Sequence, residues 1–267
     1  MQSKKSNVVE LPAADTYRDT CETHGEFTAR LTEIMGRQFR SGCPECSKIR
    51  QAEQAAAESD AKSREVRERL ERKLGKAMIP ARFVDKDFEN YEAKTDRQKK
   101  ALLACSGYAH DFADHFKAGR CMMLLGKPGT GKTHLASAIA NDLVRNTNAT
   151  AVYRTLGGIL QHIKGSYDRD AEYSEIEAFK SLITPSLLII DEIGATKPTE
   201  FELATLFAII NGRYEEVRPT IIVSNLPPKD LGVALGDRCV DRLRENGGIV
   251  VGFDWASARG EVGGSDA

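Results

Sequence analysis

Short apolar runs return at intervals in the second half of the chain, near residues 121–125, 151–155, 187–190, 220–223 and 249–253. Each has the length and branched, apolar content of a strand buried in a parallel sheet. Longer stretches lie between and before them, with apolar positions every three or four residues. These predict helices at 96–117, at the alanine- and leucine-rich His134–Arg145, at Ile159–Gly165 and after Pro198. In the last of these, Leu203, Leu206, Phe207, Ile210, Tyr214 and Val217 fall on one face at about 100° per residue, and Phe201 falls on the opposite side. A short helix is expected over Asp237–Arg244, with Val240 and Leu243 inward. Alternating strands and helices predict an α/β domain, a parallel sheet flanked by helices.

A different pattern precedes it. From residue 48 to 76 there is no Gly or Pro until Gly75, and Val66, Leu70, Leu74 and Met78 recur every fourth position, which predicts a helix with one narrow apolar stripe. Lys62–Lys76 carries seven basic and three acidic residues, with Glu65 and Arg69, and Glu68 and Arg72, spaced for surface ion pairs. A solvated connecting helix is the favoured reading; a strip for nucleic acid is the alternative. Ile79–Phe83, with Phe88 and Tyr91, reads as an extended entry into the next domain. Residues 1–47 show little apolar periodicity. The expected division is therefore 1–47, a connecting segment 48–78, an α/β domain 79–257, and a disordered tail 258–267.

A net charge of -1 argues against a protein that coats nucleic acid by bulk electrostatics, so any such contact should be local. No apolar run approaches the ~18 residues of a membrane span, and Met1–Arg18 lacks the apolar core of a secretory signal, so a cytoplasmic location is expected. Of six cysteines, those at 105, 121 and 239 are isolated, which suggests reduced thiols rather than a disulfide framework.

Candidate chemistry begins after the first strand. Gly126-Lys127-Pro128-Gly129-Thr130-Gly131-Lys132-Thr133 fits the phosphate-binding loop G-x-x-x-x-G-K-[ST] at every fixed position. In such a loop the glycines let backbone N–H groups curl around a polyphosphate, Lys132 reaches the β and γ phosphates, and Thr133 offers its hydroxyl to Mg²⁺. A nucleoside triphosphate, ATP, is the expected ligand. Leu187–Ile190 runs into Asp191 and Glu192, where Asp191 would help to hold Mg²⁺ and Glu192 would activate the attacking water. That adjacent glutamate favours hydrolysis over transfer to a second substrate. After the next strand Asn225 can serve as a γ-phosphate contact or as a turn residue before Pro227-Pro228. Arg238 and Arg242, four apart, share an outward face, either pairing with nearby acids or serving a neighbouring subunit's nucleotide.

Cys21-x-x-His24 and Cys43-x-x-Cys46 are two ligand pairs at tetrahedral zinc spacing, each able to chelate from a tight turn. Four protein ligands leave no open position, so a structural Zn²⁺ is expected. Phe27, Ile34, Met35 and Phe39 suggest a protein-binding face on this module; Arg30, Arg37 and Arg40 leave DNA binding as the lesser alternative.

Taken together, the loop at 126–133, Ile190–Gly194, Ser224-Asn225, Leu235–Leu243 and Phe253-Asp-Trp255 make residues 79–257 resemble the AAA+ ATPases. More narrowly, they resemble the DnaC-like helicase loaders and their IstB-type transposition relatives. The resemblance implies a five-stranded sheet, Asn225 as a polar γ-phosphate sensor and Arg242 as an arginine finger acting between self-associated subunits. It also implies single-stranded DNA binding, with contacts at Tyr167, Thr199 and Phe201. An aromatic pointing away from the core stripe, as Phe201 does, suits base stacking, whereas Thr199-x-x-Glu202 is equally a helix-capping box. The chain ends about a dozen residues beyond Trp255, so the C-terminal lid of many AAA+ proteins is not expected, and Arg259 is only a weak candidate for a second sensor. The expected function is ATP-dependent loading of a DnaB-like replicative helicase onto single-stranded DNA, the helicase held through the zinc module. A transposition helper ATPase, or a zinc-dependent DNA-binding regulator with a nucleotide switch, is the alternative.

Overall fold

The computed structural model describes residues 16–34 and 37–258, the side chains of Ile34 and Val66 excepted. Met35, Arg259 and the rest of the tail lie outside the described residues. The chain forms two compact units, divided between Glu68 and Arg69.

In the first unit, β1 (Thr16–Cys21), β2 (Gly25–Ile34) and β3 (Arg37–Arg40) form an antiparallel sheet in that order. The sequence offers no clear strand signal here, because a three-stranded sheet of this size buries little: β1 alternates only between exposed and half-buried positions, and Ala29 is the one buried residue among those of β2 whose side chains are described. Arg40 lies over the ring of Tyr17, 5.7 Å from its centroid, and Phe39 stays 52% exposed. Then α1 (Pro44–Ala77) starts four residues earlier than expected. Proline suits a first helical turn because its missing N–H has no intrahelical partner there.

The second unit takes in the end of α1, whose Leu70 and Leu74 pack on the core as expected. Met78 does not: it sits past the helix end at φ 54 and is exposed, while Ala77 is buried. The predicted helix 96–117 is two, α2 (Asp96–His110) and α3 (Phe112–Ala118), separated at Asp111, whose φ of -92° and ψ of 17° break the helix. After them come β4 (Met122–Gly126), α4 (Lys132–Asn146), β5 (Ala151–Thr155), α5 (Leu156–Gly165), α6 (Glu175–Ile183), β6 (Leu187–Ile193), α7 (Glu200–Glu215), β7 (Thr220–Ser224), α8 (Leu231–Leu235), α9 (Asp237–Arg244) and β8 (Ile249–Phe253). The five strands pair in parallel in the order β5-β6-β7-β4-β8.

Alternation along each strand builds a core on either face of this sheet. Met122, Leu124, Leu187, Ile189, Ile221 and Val223 pack with α2 and α4, whereas Met123, Leu125, Leu188, Ile190 and Ile222 pack with α5, α6, α7 and α9.

The buried line of α7 differs from the expected stripe. It runs through Thr205, Leu206, Ile209, Ile210 and Arg213, leaving Phe207 half-buried and Tyr214 exposed, and Val217 falls beyond the helix end. Apolar residues lie all around this helix, and an arginine completes its inner face. The Arg213 guanidinium is fully buried and donates to Thr220 Oγ1 and to the carbonyls of Leu182, Ile183, Pro185 and Pro219. Those acceptors satisfy it without a carboxylate, although burial pulls its pKa down to about 9.

Candidate nucleotide site and metal centre

The phosphate-binding loop leaves the C-terminal end of β4 and enters α4 at Lys132. Gly126 adopts φ 143, where an added Cβ would lie 2.0 Å from the Phe253 carbonyl oxygen, so the first position of the loop tolerates glycine alone. Gly131, at φ 93, abuts the Tyr91 ring in the same way. Outer residues brace the loop: Trp255 Nε1 donates to Thr130 O at 3.0 Å, and Lys127 N to Phe253 O at 3.0 Å. Ala258, within the segment expected to be disordered, donates its backbone N–H to Gly129 O. Inside the loop, Thr130 Oγ1 donates to Lys127 O, and the Lys132 ammonium donates to the carbonyls of Gly126 and Lys127. No side chain caps the N-terminus of α4. Its first N–H groups and the positive end of its dipole therefore suit an anion such as phosphate.

The Mg²⁺ candidates meet across 58 positions of sequence. Thr133 Oγ1 donates to Asp191 Oδ2 at 2.8 Å, and the Tyr153 hydroxyl on β5 donates to the same oxygen. Asp191 Oδ1 accepts from the Glu192 N–H at 2.6 Å. The carboxylate is thus held by three donors beside a hydroxyl, a pair of hard oxygen ligands that fits Mg²⁺. Tyr153 was missed by sequence reasoning. Burial, followed by the Asp191 charge, pushes its phenol pKa far up, so it remains a donor.

Glu192 departs from the expectation that the strand ends before it. It lies within β6 at a register shift between Ile190 and Ile193, and takes φ 63. For a residue with a Cβ this conformation costs about 1 kcal/mol or more, and it leaves the carboxylate exposed between two buried neighbours.

Asn225 follows β7 with an exposed side chain. The turn there is made by Ser224, whose hydroxyl donates to Ile193 O and accepts from Leu226 N. This leaves the amide of Asn225 out of the turn. Arg242 does not project freely outward as expected. It is half-buried, its guanidinium carbon 5.1 Å from the Phe207 ring centroid and 5.3 Å from that of Tyr214, whereas Arg238 is exposed.

Two of the three expected DNA contacts, Tyr167 and Phe201, both touch Lys164. Its ammonium sits 5.4 Å from the centroid of Phe201, which is 36% exposed, and its carbonyl accepts from the N–H of Tyr167, which is 53% exposed. Tyr167 OH also donates to Glu175. Thr199 forms the capping box of α7 with Glu202.

In the first unit Cys21 Sγ, His24 Nδ1, Cys43 Sγ and Cys46 Sγ all lie within 4.8 Å of one another. Sγ–Nδ1 separations of 3.3 to 3.7 Å and a Cys21–Cys46 separation of 3.5 Å are close to the ~3.8 Å edge of a tetrahedron with Zn–S near 2.3 Å. The first pair flanks a tight turn as expected. The second does not: Cys43 precedes α1 and Cys46 sits in its first turn, Ser47 N donating to Cys43 O. Backbone N–H groups of Thr23 and His24 lower the Cys21 pKa to about 6, while the hydrogen bond that the Cys46 thiol donates to Cys21 raises that of Cys46 to about 11. A thiolate beside a thiol that resists ionisation is the arrangement a dication relieves.

Residues 53–244 match the family of IstB-like ATP binding proteins. Among curated proteins, the chain is 32% identical over 198 residues to the replicative helicase loader DnaC of Buchnera aphidicola subsp. Baizongia pistaciae, covering 74% of this chain and 79% of that one. It is 31% identical over 245 residues to the replicative helicase loader DnaC of Escherichia coli (strain K12), covering 91% and 98%. A crystal structure of the DnaC helicase loader superposes with a TM-score of 0.58 at 22% identity, over 65% of this chain and 99% of that chain, a likeness of fold. With a matched segment this long, and with the end of the phosphate-binding loop hydrogen-bonded to Asp191, the chain belongs to the family of IstB-like ATP binding proteins.

Proposed function

We propose that this protein is an ATP-hydrolysing loader that binds a DnaB-like replicative helicase and deposits it on single-stranded DNA. One observation carries the reading: alignment to a protein named replicative helicase loader runs through 98% of that protein's length. Residues 1–47 form the helicase-binding module, stabilised by Zn²⁺ on Cys21, His24, Cys43 and Cys46, and 48–78 connect it to the ATPase domain, 79–257. Main-chain N–H groups of the loop, with Lys132, hold the phosphates of ATP. Thr133 and Asp191 hold Mg²⁺, which neutralises charge as the terminal phosphate departs. Glu192 accepts a proton from the attacking water, Asn225 contacts the γ-phosphate, and Arg242 reaches the nucleotide of an adjoining subunit. Tyr167 and Phe201 stack on bases, supported by their exposure and by the Lys164 ammonium over the Phe201 ring. ATP promotes self-association and strand binding; hydrolysis releases the helicase. All of this takes place in the cytoplasm.

Co-elution with a purified DnaB-like helicase tests the reading. The full-length protein is expected to co-elute and a Cys43→Ser variant to be impaired. Absence of a complex with the intact zinc-loaded protein contradicts it. A transposition helper, the reading that the family's IstB name favours, would bind a transposase instead.

A further inference from the structure

Spacing alone does not separate Arg238 from Arg242, two basic residues one helical turn apart, although the family resemblance points to Arg242. Their surroundings differ. Arg238 is exposed, whereas Arg242 lies against Phe207 and Tyr214, which sit seven residues, two turns, apart on α7. The Tyr214 hydroxyl donates to Glu245 Oε1 at 3.1 Å, so its ring is tied to the C-cap residue of α9, three positions beyond the arginine. That bond also engages the nearby carboxylate. Among the described residues no ion pair joins Arg242 to an acid, and its buried Nε has no hydrogen-bond partner.

The chemistry of this arrangement is specific. An arginine held by a carboxylate at home would have to break that pair before serving a phosphate elsewhere. Aromatic rings hold the guanidinium through its face, by attraction to their quadrupoles, and leave the charge whole and the N–H edge available. A cation ordered before it meets its substrate loses little freedom on doing so.

We propose that Phe207 and Tyr214 are positioning residues that hold Arg242, un-neutralised, for the nucleotide of an adjoining subunit. The inference rests on the reading of Arg242 given above and deepens it: α7, which carries Phe201 in its first turn, also carries the support of the arginine.

Mixed assemblies test it on the subunit that supplies the arginine. Lys132→Ala subunits lack nucleotide chemistry but keep Arg242, and Arg242→Ala subunits bind ATP but lack the arginine. Mixed, they should recover ATP turnover that neither shows alone. Phe207→Leu with Tyr214→Leu, placed in the Lys132→Ala donor, is expected to cut that recovery by about tenfold or more, toward the ~10²-fold of a misplaced catalytic group. Donors carrying Phe207→Tyr and Tyr214→Phe should restore it, because a ring face remains. Thermal unfolding checks each donor, and Tyr214→Leu alone, at a ring 38% exposed, carries the test if the double variant does not fold. Leucine donors that rescue as well as unaltered rings overturn the proposal. If donors with native rings rescue nothing, the arginine-in-trans reading itself fails, which is a separate outcome.

Discussion

The hydroxyls of Thr133 and Tyr153 converge on one oxygen of Asp191, so the carboxylate is aimed before any metal arrives. One donor comes from the helix that follows the phosphate loop and the other from β5, the edge strand paired with β6. Tyr153→Phe removes a buried donor while keeping the ring. A loss of about 1 kcal/mol is expected, a several-fold drop in Mg²⁺-dependent ATP turnover with nearly unchanged folding stability. Magnesium titrations of turnover check it; identical curves for the two proteins would assign Tyr153 to packing alone.

Glu192 pairs an exposed carboxylate with a left-handed backbone inside a strand. Conversion to Gln should cut ATP turnover by roughly 10²-fold or more while leaving nucleotide affinity within a few-fold, since the group acts on water rather than on binding. Steady-state turnover beside equilibrium binding of a fluorescent ATP analogue separates the two effects. Glu192→Gly should relieve the backbone strain, raising stability even as turnover falls.

The cysteine and histidine cluster leads to a stoichiometric expectation. Purified protein should carry one zinc per chain by elemental analysis. A strong chelator, or Cys43→Ser, should abolish it and unfold the β1–β3 unit, because a site of this kind contributes on the order of 10 kcal/mol to folding. The ATPase unit, with its separate core, should keep its thermal transition. Retention of the N-terminal sheet without metal, seen by circular dichroism or hydrogen exchange, would contradict the assignment.

Three histidines of the second unit have depressed pKa values: His115 and His162 through burial and then the charges of Arg120 and Arg154, and His134 through burial foremost. His115 stacks on Tyr108 with 4.5 Å between centroids. Each is favoured neutral in the folded chain, so the unfolded chain binds more protons as pH falls below the ordinary value of 6.5. Their contribution to stability is complete above 6.5 and declines as pH drops toward the lowered folded values. The thermal midpoint of the unit should fall over that window, and His115→Phe should lessen the slope. An unchanged slope in that variant would show that other groups govern acid sensitivity.

Much of this site is legible in the chain because it is local. The eight residues from Gly126 to Thr133 carry their own backbone requirements, and the apolar run into Asp191 announces a buried strand meeting polar chemistry. Tyr153 was hidden because its partner lies 38 positions away and the two meet only once β5 pairs with β6. The stripe of α7 was misjudged because Arg213 reads as a surface residue until the carbonyls of 182, 183, 185 and 219 are gathered around it. The N-terminal sheet was invisible for another reason: strands that bury almost nothing show no apolar alternation, and the order there comes from hydrogen bonding and four metal-ligand side chains.

Helicase loading is read out by following a DnaB-like helicase onto a closed single-stranded DNA circle, which offers no end. With this protein and ATP, the helicase should become DNA-bound and then unwind an annealed strand. With Glu192→Gln it should be delivered but stay bound to its loader. Helicase that reaches the circle equally well without this protein, or never reaches it with the protein and ATP present, would rule out a loading role.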